Sequence, residues 1–284
     1  MFQRKTEGSV VCPSCGSLVG VNDEKCYSCG RANPGMWGFA PAIRALGRDM
    51  GFVPLVMGAS IIIYGLALFG SGGNLLGGGG GMNFLSPSTS ALLWFGASGA
   101  VPVFYLGNWW TVLSAGWLHA GLLHILFNMM ALRNIGPGAV DLIGPGRTVI
   151  IWVVSGATGF LLSSTMGAYG PRIPFLSGAN LTVGASASIF GLIGALAHYG
   201  RVSGSALIRE TTTGWIISGV IFGFLMPGID NWAHAGGFLG GYVTSMFFNP
   251  LTRERGDHII IAILCLIATF AAVGMSLLQG PPRF

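Results

Sequence analysis

The chain has 284 residues, of which 52% are hydrophobic and only 8% are charged, against roughly 25% charged in an ordinary soluble domain. So few charges cannot furnish a water-facing surface, which excludes a soluble globular protein and leaves the lipid bilayer as the matching solvent. The formal net charge of +5 would suit a nucleic-acid partner only if the basic residues formed a patch, and their positions argue for another use.

The first fifty residues are polar and cysteine-bearing, with no early apolar run of the kind a cleavable signal peptide carries. Residues 1–34 read as a separate module. Cys12, Cys15, Cys26 and Cys29 are spaced C-x2-C-x10-C-x2-C, and a glycine follows each pair (CPSCG and CYSCG). Four soft ligands on two tight turns suit a tetrahedral structural Zn²⁺ with no open position for catalysis. The competing reading is two redox-active or disulfide-forming pairs, which a cytosolic location disfavours. A module this short cannot bury a sufficient core, so metal would supply its folding energy. Basic Arg4, Lys5, Lys25 and Arg31 are mixed with acidic Glu7, Asp23 and Glu24; this is no nucleic-acid footprint, and a cytosolic protein partner is the default role. Residues 35–51 (from GMWGFAPAIRALGRDM) read as an amphipathic linker.

Apolar runs follow at about 52–70, 121–137, 147–168, 184–200, 212–228, 231–249 and 258–278, each near the ~17–25 residues of a membrane-spanning helix. The segment 71–120 opens with a glycine-rich stretch, read as a flexible linker. It continues with Trp94, Trp109, Trp110 and Trp117, amphipathic rings suited to the headgroup level. With the N-terminus in the cytosol and sides alternating, the cytosolic regions hold all of the 14 basic residues except Arg172 and Arg283. This bias is the positive-inside signal, so the basic excess sets topology: seven spans, N-terminus in, C-terminus out.

Polar and ionisable groups within spans are expensive and point to function. The second span places His124 and Asn128 four residues apart, on one helix face. The fourth carries Ser186 near its start, and the sixth carries His234 about one turn in. All three spans run from outside to inside, so topology alone puts these groups in one leaflet. Gly237 and Gly241 form a GxxxG pair, and Ala187, Gly191 and Ala195 a small-residue ridge, faces that let two helices approach closely. Singly, each polar group has a plainer role: a serine bonding a backbone carbonyl, a buried structural histidine, a histidine–asparagine pair gluing helices together. Their shared depth favours catalysis. Cys265, alone in the last span, reads as packing.

The stretch from about 105 to 250 resembles the rhomboid intramembrane proteases. WLHAGLLHILFNMMAL matches the family's H-x4-H-x3-N pattern at His119, His124 and Asn128, and VDLIGPGR its acidic-then-Gly-then-Arg loop. GASASIFGLIGA resembles the G-x-S-G nucleophile motif, with Gly184 two residues before Ser186, and AHAGGFLGG matches the A-H-x-G-G motif at His234. The resemblance implies an all-α polytopic membrane protein: a six-helix core over 52–250, then a linker, a seventh transmembrane helix and a short tail in 251–284. It implies Ser186 as nucleophile and His234 as general base without a third acid, an oxyanion hole from His124, Asn128 and the Ser186 amide, and Phe190 packed on the His234 ring. No catalytic cofactor is implied. Substrates would be transmembrane proteins cut near the outer face of the membrane, and a bacterial inner membrane is the expected location. The alternative is a catalytically silent rhomboid-like module that binds membrane proteins; a transporter is disfavoured because the polar groups cluster at one depth. Two departures stand out. Ala187 replaces the usual glycine after the nucleophile, and Trp109-Trp110 replaces a Trp-Arg pair. Ser188 is a rival nucleophile that lacks the glycine two residues before it.

Overall fold

The computed structural model describes residues 4–13, 15–41, 49, 51–72, 85–171, 173, 177–252 and 254–281. The glycine-rich stretch 73–84 and the linker residues 42–48, with Arg44 and Arg48, lie outside the described residues, as do Arg172, Arg253 and Arg283. The chain divides into two compact units, Met1–Phe52 and Val53–Phe284.

In the first unit, strands β1 (Ser9–Val11) and β2 (Leu18–Gly20) pair antiparallel, with Val10 opposite Val19. Cys12 and Cys15 lie in the turn between them. Val10, Val19, Val21, Cys12, Cys26 and Ala40 form a small core. Residues 35–40 pack onto it, because the Lys5 N–H donates to the Gly38 carbonyl at 2.9 Å.

The second unit is helical. Seven long helices are described: α1 (Phe52–Phe69), α2 (Leu122–Ile143), α3 (Pro145–Tyr169), α4 (Ser186–Val202), α5 (Ala206–Leu225), α6 (Asn231–Met246) and α7 (Gly256–Gln279). They coincide with the seven apolar runs. By length and composition α1, α3 and α7 can each cross a membrane. So can α2 if joined to Thr111–Trp117, from which it is bent by 90°. Of the remaining helices, α4 and α6 have 17 and 16 residues, at the short end for a span. The chain is a multi-pass integral membrane protein.

Boundaries follow local chemistry. Gly144 adopts φ +102 between α2 and α3, and Pro145 opens α3, where its missing N–H costs nothing. Asp230 caps α6 by accepting the Ala233 N–H at 3.0 Å. The segment between α1 and α2, read as a long loop, holds short helices at Thr89–Phe95 and Thr111–Ser114 and helical turns at Val101–Tyr105 and Ala115–Trp117. They form because Ala91, Leu92, Phe95, Ala115 and Trp117 are apolar and bury against the bundle.

The centre of the bundle is formed by α3, α4 and α6, with α6 packed closely on both of the others. Small residues bring these backbones together: a Cβ placed on Gly237 would stand 2.8 Å from the Ala187 carbonyl carbon, and one on Gly241 would strike the Gly191 backbone. The GxxxG face expected from sequence therefore meets the ridge on α4.

Candidate functional site

Ser186 is the first residue of α4. The turn before it depends on glycine twice over. Gly184 has φ +129, and a Cβ there would lie 2.7 Å from His124 Cε1 and Nε2 and 3.7 Å from Ser186 Oγ. The same residue thus brings the α2 imidazole to the start of α4.

His124 Nδ1 accepts the Ala120 backbone N–H at 3.3 Å. A nitrogen that accepts carries no proton, so the network assigns the neutral ring with hydrogen on Nε2, the atom facing the Gly184 turn. Asn128, one turn along α2, is buried and donates one amide hydrogen to the His124 carbonyl at 2.9 Å, leaving a second hydrogen for another acceptor. His119 is buried with its ring edge-on to His124, centroids 5.2 Å apart.

His234 lies in the first turn of α6 and stacks on Phe190 of α4, with centroids 4.2 Å apart and planes within 13°. Its Nδ1 is buried and has no hydrogen-bond partner among the described residues. The nearby acid, Asp230, serves elsewhere: besides capping α6 it accepts a hydrogen bond from Ser163 Oγ of α3. The ring is therefore oriented by an aromatic face and not by a carboxylate. Gly219 of α5 makes room for this stack, since a Cβ there would press into the Phe190 ring.

His124, Asn128, Ser186 and His234 line a single cavity of about 850 Å³. Its apolar walls come from α2, α4 and α5, including Phe127, Met130, Ile193, Trp215 and Phe222. Phe127 and Phe222 meet edge to face at 5.8 Å across the seam between those helices. Ser188 is buried and turned towards α3, where a Cβ on Gly156 would come within 2.5 Å of its Oγ. It does not line this cavity. Ala187 is fully buried with Ala115, Phe160 and Ala233, and its methyl sits over Gly159, whose added Cβ would lie 2.9 Å away. The methyl therefore points into the core, away from Ser186.

Residues 106–251 match the family model for the Rhomboid domain. The chain belongs to the rhomboid family. It is 30% identical to the Rhomboid protease GluP of Bacillus subtilis over 64% of this chain and 34% of that protein. It is 35% identical to RHOMBOID-like protein 7 of Arabidopsis thaliana over 56% of this chain and 49% of the relative. It is also 30% identical to the Inactive RHOMBOID-like protein 8 of the same plant over 60% and 47%. The matches span about half or less of the length of these rhomboid relatives, and the family includes both a named protease and a named inactive member.

In the first unit, the four cysteine Sγ atoms lie within 4.8 Å of one another. Cys12 and Cys29 are 3.8 Å apart and Cys15 and Cys26 3.6 Å. A tetrahedron of sulfurs about 2.3 Å from a central ion has edges of about 3.8 Å, so the donor set fits a metal, and none of the four cysteines is in a disulfide. The two knuckles repeat one geometry: Gly16 and Gly30 have φ +79 and +70 and donate to the Cys12 and Cys26 carbonyls at 3.0 and 2.8 Å.

Asp230, one residue before α6 begins, is a capping signal that the sequence carries. Ser163 and Phe222 had no such signal, because their partners lie on distant helices.

Proposed function

We propose that this chain is an intramembrane serine endopeptidase that cuts transmembrane segments near the outer face of the membrane. The observation that carries the reading is that Ser186 and His234 open into one cavity from helices whose backbones touch at Ala187 and Gly237. Ser186 Oγ attacks the scissile carbonyl, and His234 takes the hydroxyl proton as the new C–O bond forms. His234 then delivers that proton to the departing amine as the C–N bond breaks. Water repeats the exchange to free the acyl chain. The oxyanion is met by His124 Nε2–H, by the second amide hydrogen of Asn128, and by the Ser186 N–H, which at the head of a helix has no intrahelical acceptor.

The walls supplied by α2 and α5 suggest how substrate arrives. A transmembrane helix enters sideways through the seam bridged by Phe127 and Phe222 and unwinds locally, because a fully hydrogen-bonded helix hides its carbonyls. Small or helix-breaking residues near the outer leaflet mark the preferred substrates. The distribution of basic residues supports a cytosolic N-terminus, and we place the protein in a bacterial inner membrane. In the first unit Cys12, Cys15, Cys26 and Cys29 hold a structural Zn²⁺, which supplies the folding energy a core of this size lacks; a cytosolic protein is its expected partner.

Proteoliposomes carrying the chain and a labelled transmembrane helix with a helix-breaking residue provide the test. Cleavage by wild type and none by Ser186→Ala is expected. Equal cleavage by both would end the reading. A silent binding module is favoured only by the inactive name of one relative; it predicts retention of such a helix without cleavage.

A further inference from the structure

Helix α7 lies beyond the matched domain, which ends at residue 251, yet it is bonded to the bundle at both ends. Near its start, the buried Arg147 of α3 donates to the Asn249 and Thr252 carbonyls at 3.1 and 2.9 Å and to His258 Nδ1 at 3.1 Å. Near its end the segment before α2 reaches across to it. Trp94 Nε1 donates to the Leu277 carbonyl and Trp110 Nε1 to Ser276 Oγ, both at 3.1 Å. The Gln279 amide donates to Asn108 Oδ1 at 3.2 Å. Between the ends, the buried Trp117 stacks on Phe270 with centroids 4.6 Å apart. Within a bilayer such polar links have few competing partners.

These contacts converge under the candidate dyad. Residues 111–117 carry Ala115, which is fully buried against Phe160 and against Ala187 and Ala233, the chain neighbours of Ser186 and His234. The Ala115 carbonyl also accepts the Gly184 N–H at 3.0 Å, two residues before Ser186. A path of direct contacts therefore runs from α7 through residues 110–117 to both sides of the site.

We propose that α7 is a clamp that positions Ser186 and His234, and that Trp110 and Ser276 are positioning residues acting through Ala115. This inference rests on the protease reading. It also gives a reason for tryptophan at 110, where the family resemblance leads one to expect arginine: an indole N–H reaches a serine on a helix that a six-helix core does not have.

The test uses full-length protein with Trp110→Phe, Ser276→Ala and both together. The readouts are kcat and KM on a cleavable transmembrane helix, thermal unfolding, and amide exchange at 111–117 and at Gly184. Loss of this hydrogen bond should lower kcat about five- to ten-fold with KM changed by less than about two-fold. The double variant should be no worse than either single one, and Gly184 should exchange faster in each. An unchanged kcat with a lowered unfolding temperature would overturn the clamp and leave a stability role. If wild type neither cleaves nor is labelled at Ser186, the protease reading fails, and Gly184 exchange decides the clamp alone: faster exchange in Ser276→Ala supports the coupling, unchanged exchange refutes it.

Discussion

Replacing Gly237 by alanine adds one methyl group where two helices meet through their backbones. The new Cβ would stand 2.8 Å from the Ala187 carbonyl carbon and 3.1 Å from its Cα, and closer still to the carbonyl oxygen. Ordinary contact needs about 3.5–4.0 Å, and a backbone cannot swing aside as a flexible side chain does. Helices α4 and α6 must therefore part by about 1 Å. The cost in stability is about 1–3 kcal/mol, the usual penalty for overpacking a filled interior. The cost in activity is larger, since Ser186 and His234 ride on the two separating helices and a misplacement of this size costs about 10²-fold. The internal control is Gly274→Ala on α7, where a Cβ would meet nothing within 4 Å; alanine there should hold or raise stability by up to about 1 kcal/mol. Thermal unfolding in detergent and the rate of serine-probe labelling measure both effects. A Gly237→Ala protein that unfolds and labels like wild type would refute the close-packing argument.

Other consequences are equally open to measurement. Asn128→Ala should cut turnover about 10²–10³-fold while leaving detectable cleavage, because His124 and the Ser186 amide remain. Asp230→Ala removes both the α6 cap and the acceptor for Ser163; a loss of about 1–2 kcal/mol in thermal unfolding is expected. Cys26→Ser should abolish stoichiometric metal measured by elemental analysis, with the first unit losing its protection from proteolysis. Burial pushes the Cys26 thiol up to about 11, so at neutral pH the metal must displace a proton there; retention should accordingly weaken as pH falls, and a pH-independent metal content would contradict thiolate ligation.

The seven helices were legible because a bilayer imposes length and apolarity on each span, and the motif residues because each sits near the head of a helix that begins with a readable signal. Gly184, Ser186, His234 and the His124–Asn128 face were in view for that reason. The site's supports were less visible. That Phe190 stacks on His234 was an implication of the resemblance; that Gly219 on α5 opens the space for it depends on the approach of a third helix. The two departures from the family pattern also needed coordinates. Ala187 looked like an intrusion beside the nucleophile, yet its methyl turns into the space above Gly159. Trp110 looked like a lost arginine contact, yet its indole bonds to Ser276 on α7, 166 residues along the chain. Pairings at such separation leave no periodic trace in a sequence.

Labelling with a fluorophosphonate probe tests the account most directly. Detergent-solubilised wild type is compared with Ser186→Ala, His234→Ala and Ser188→Ala, with folding of each checked by thermal unfolding. The account predicts labelling of wild type and of Ser188→Ala, and none of the other two. A folded wild-type protein that takes no label, or label that survives loss of Ser186, would contradict it.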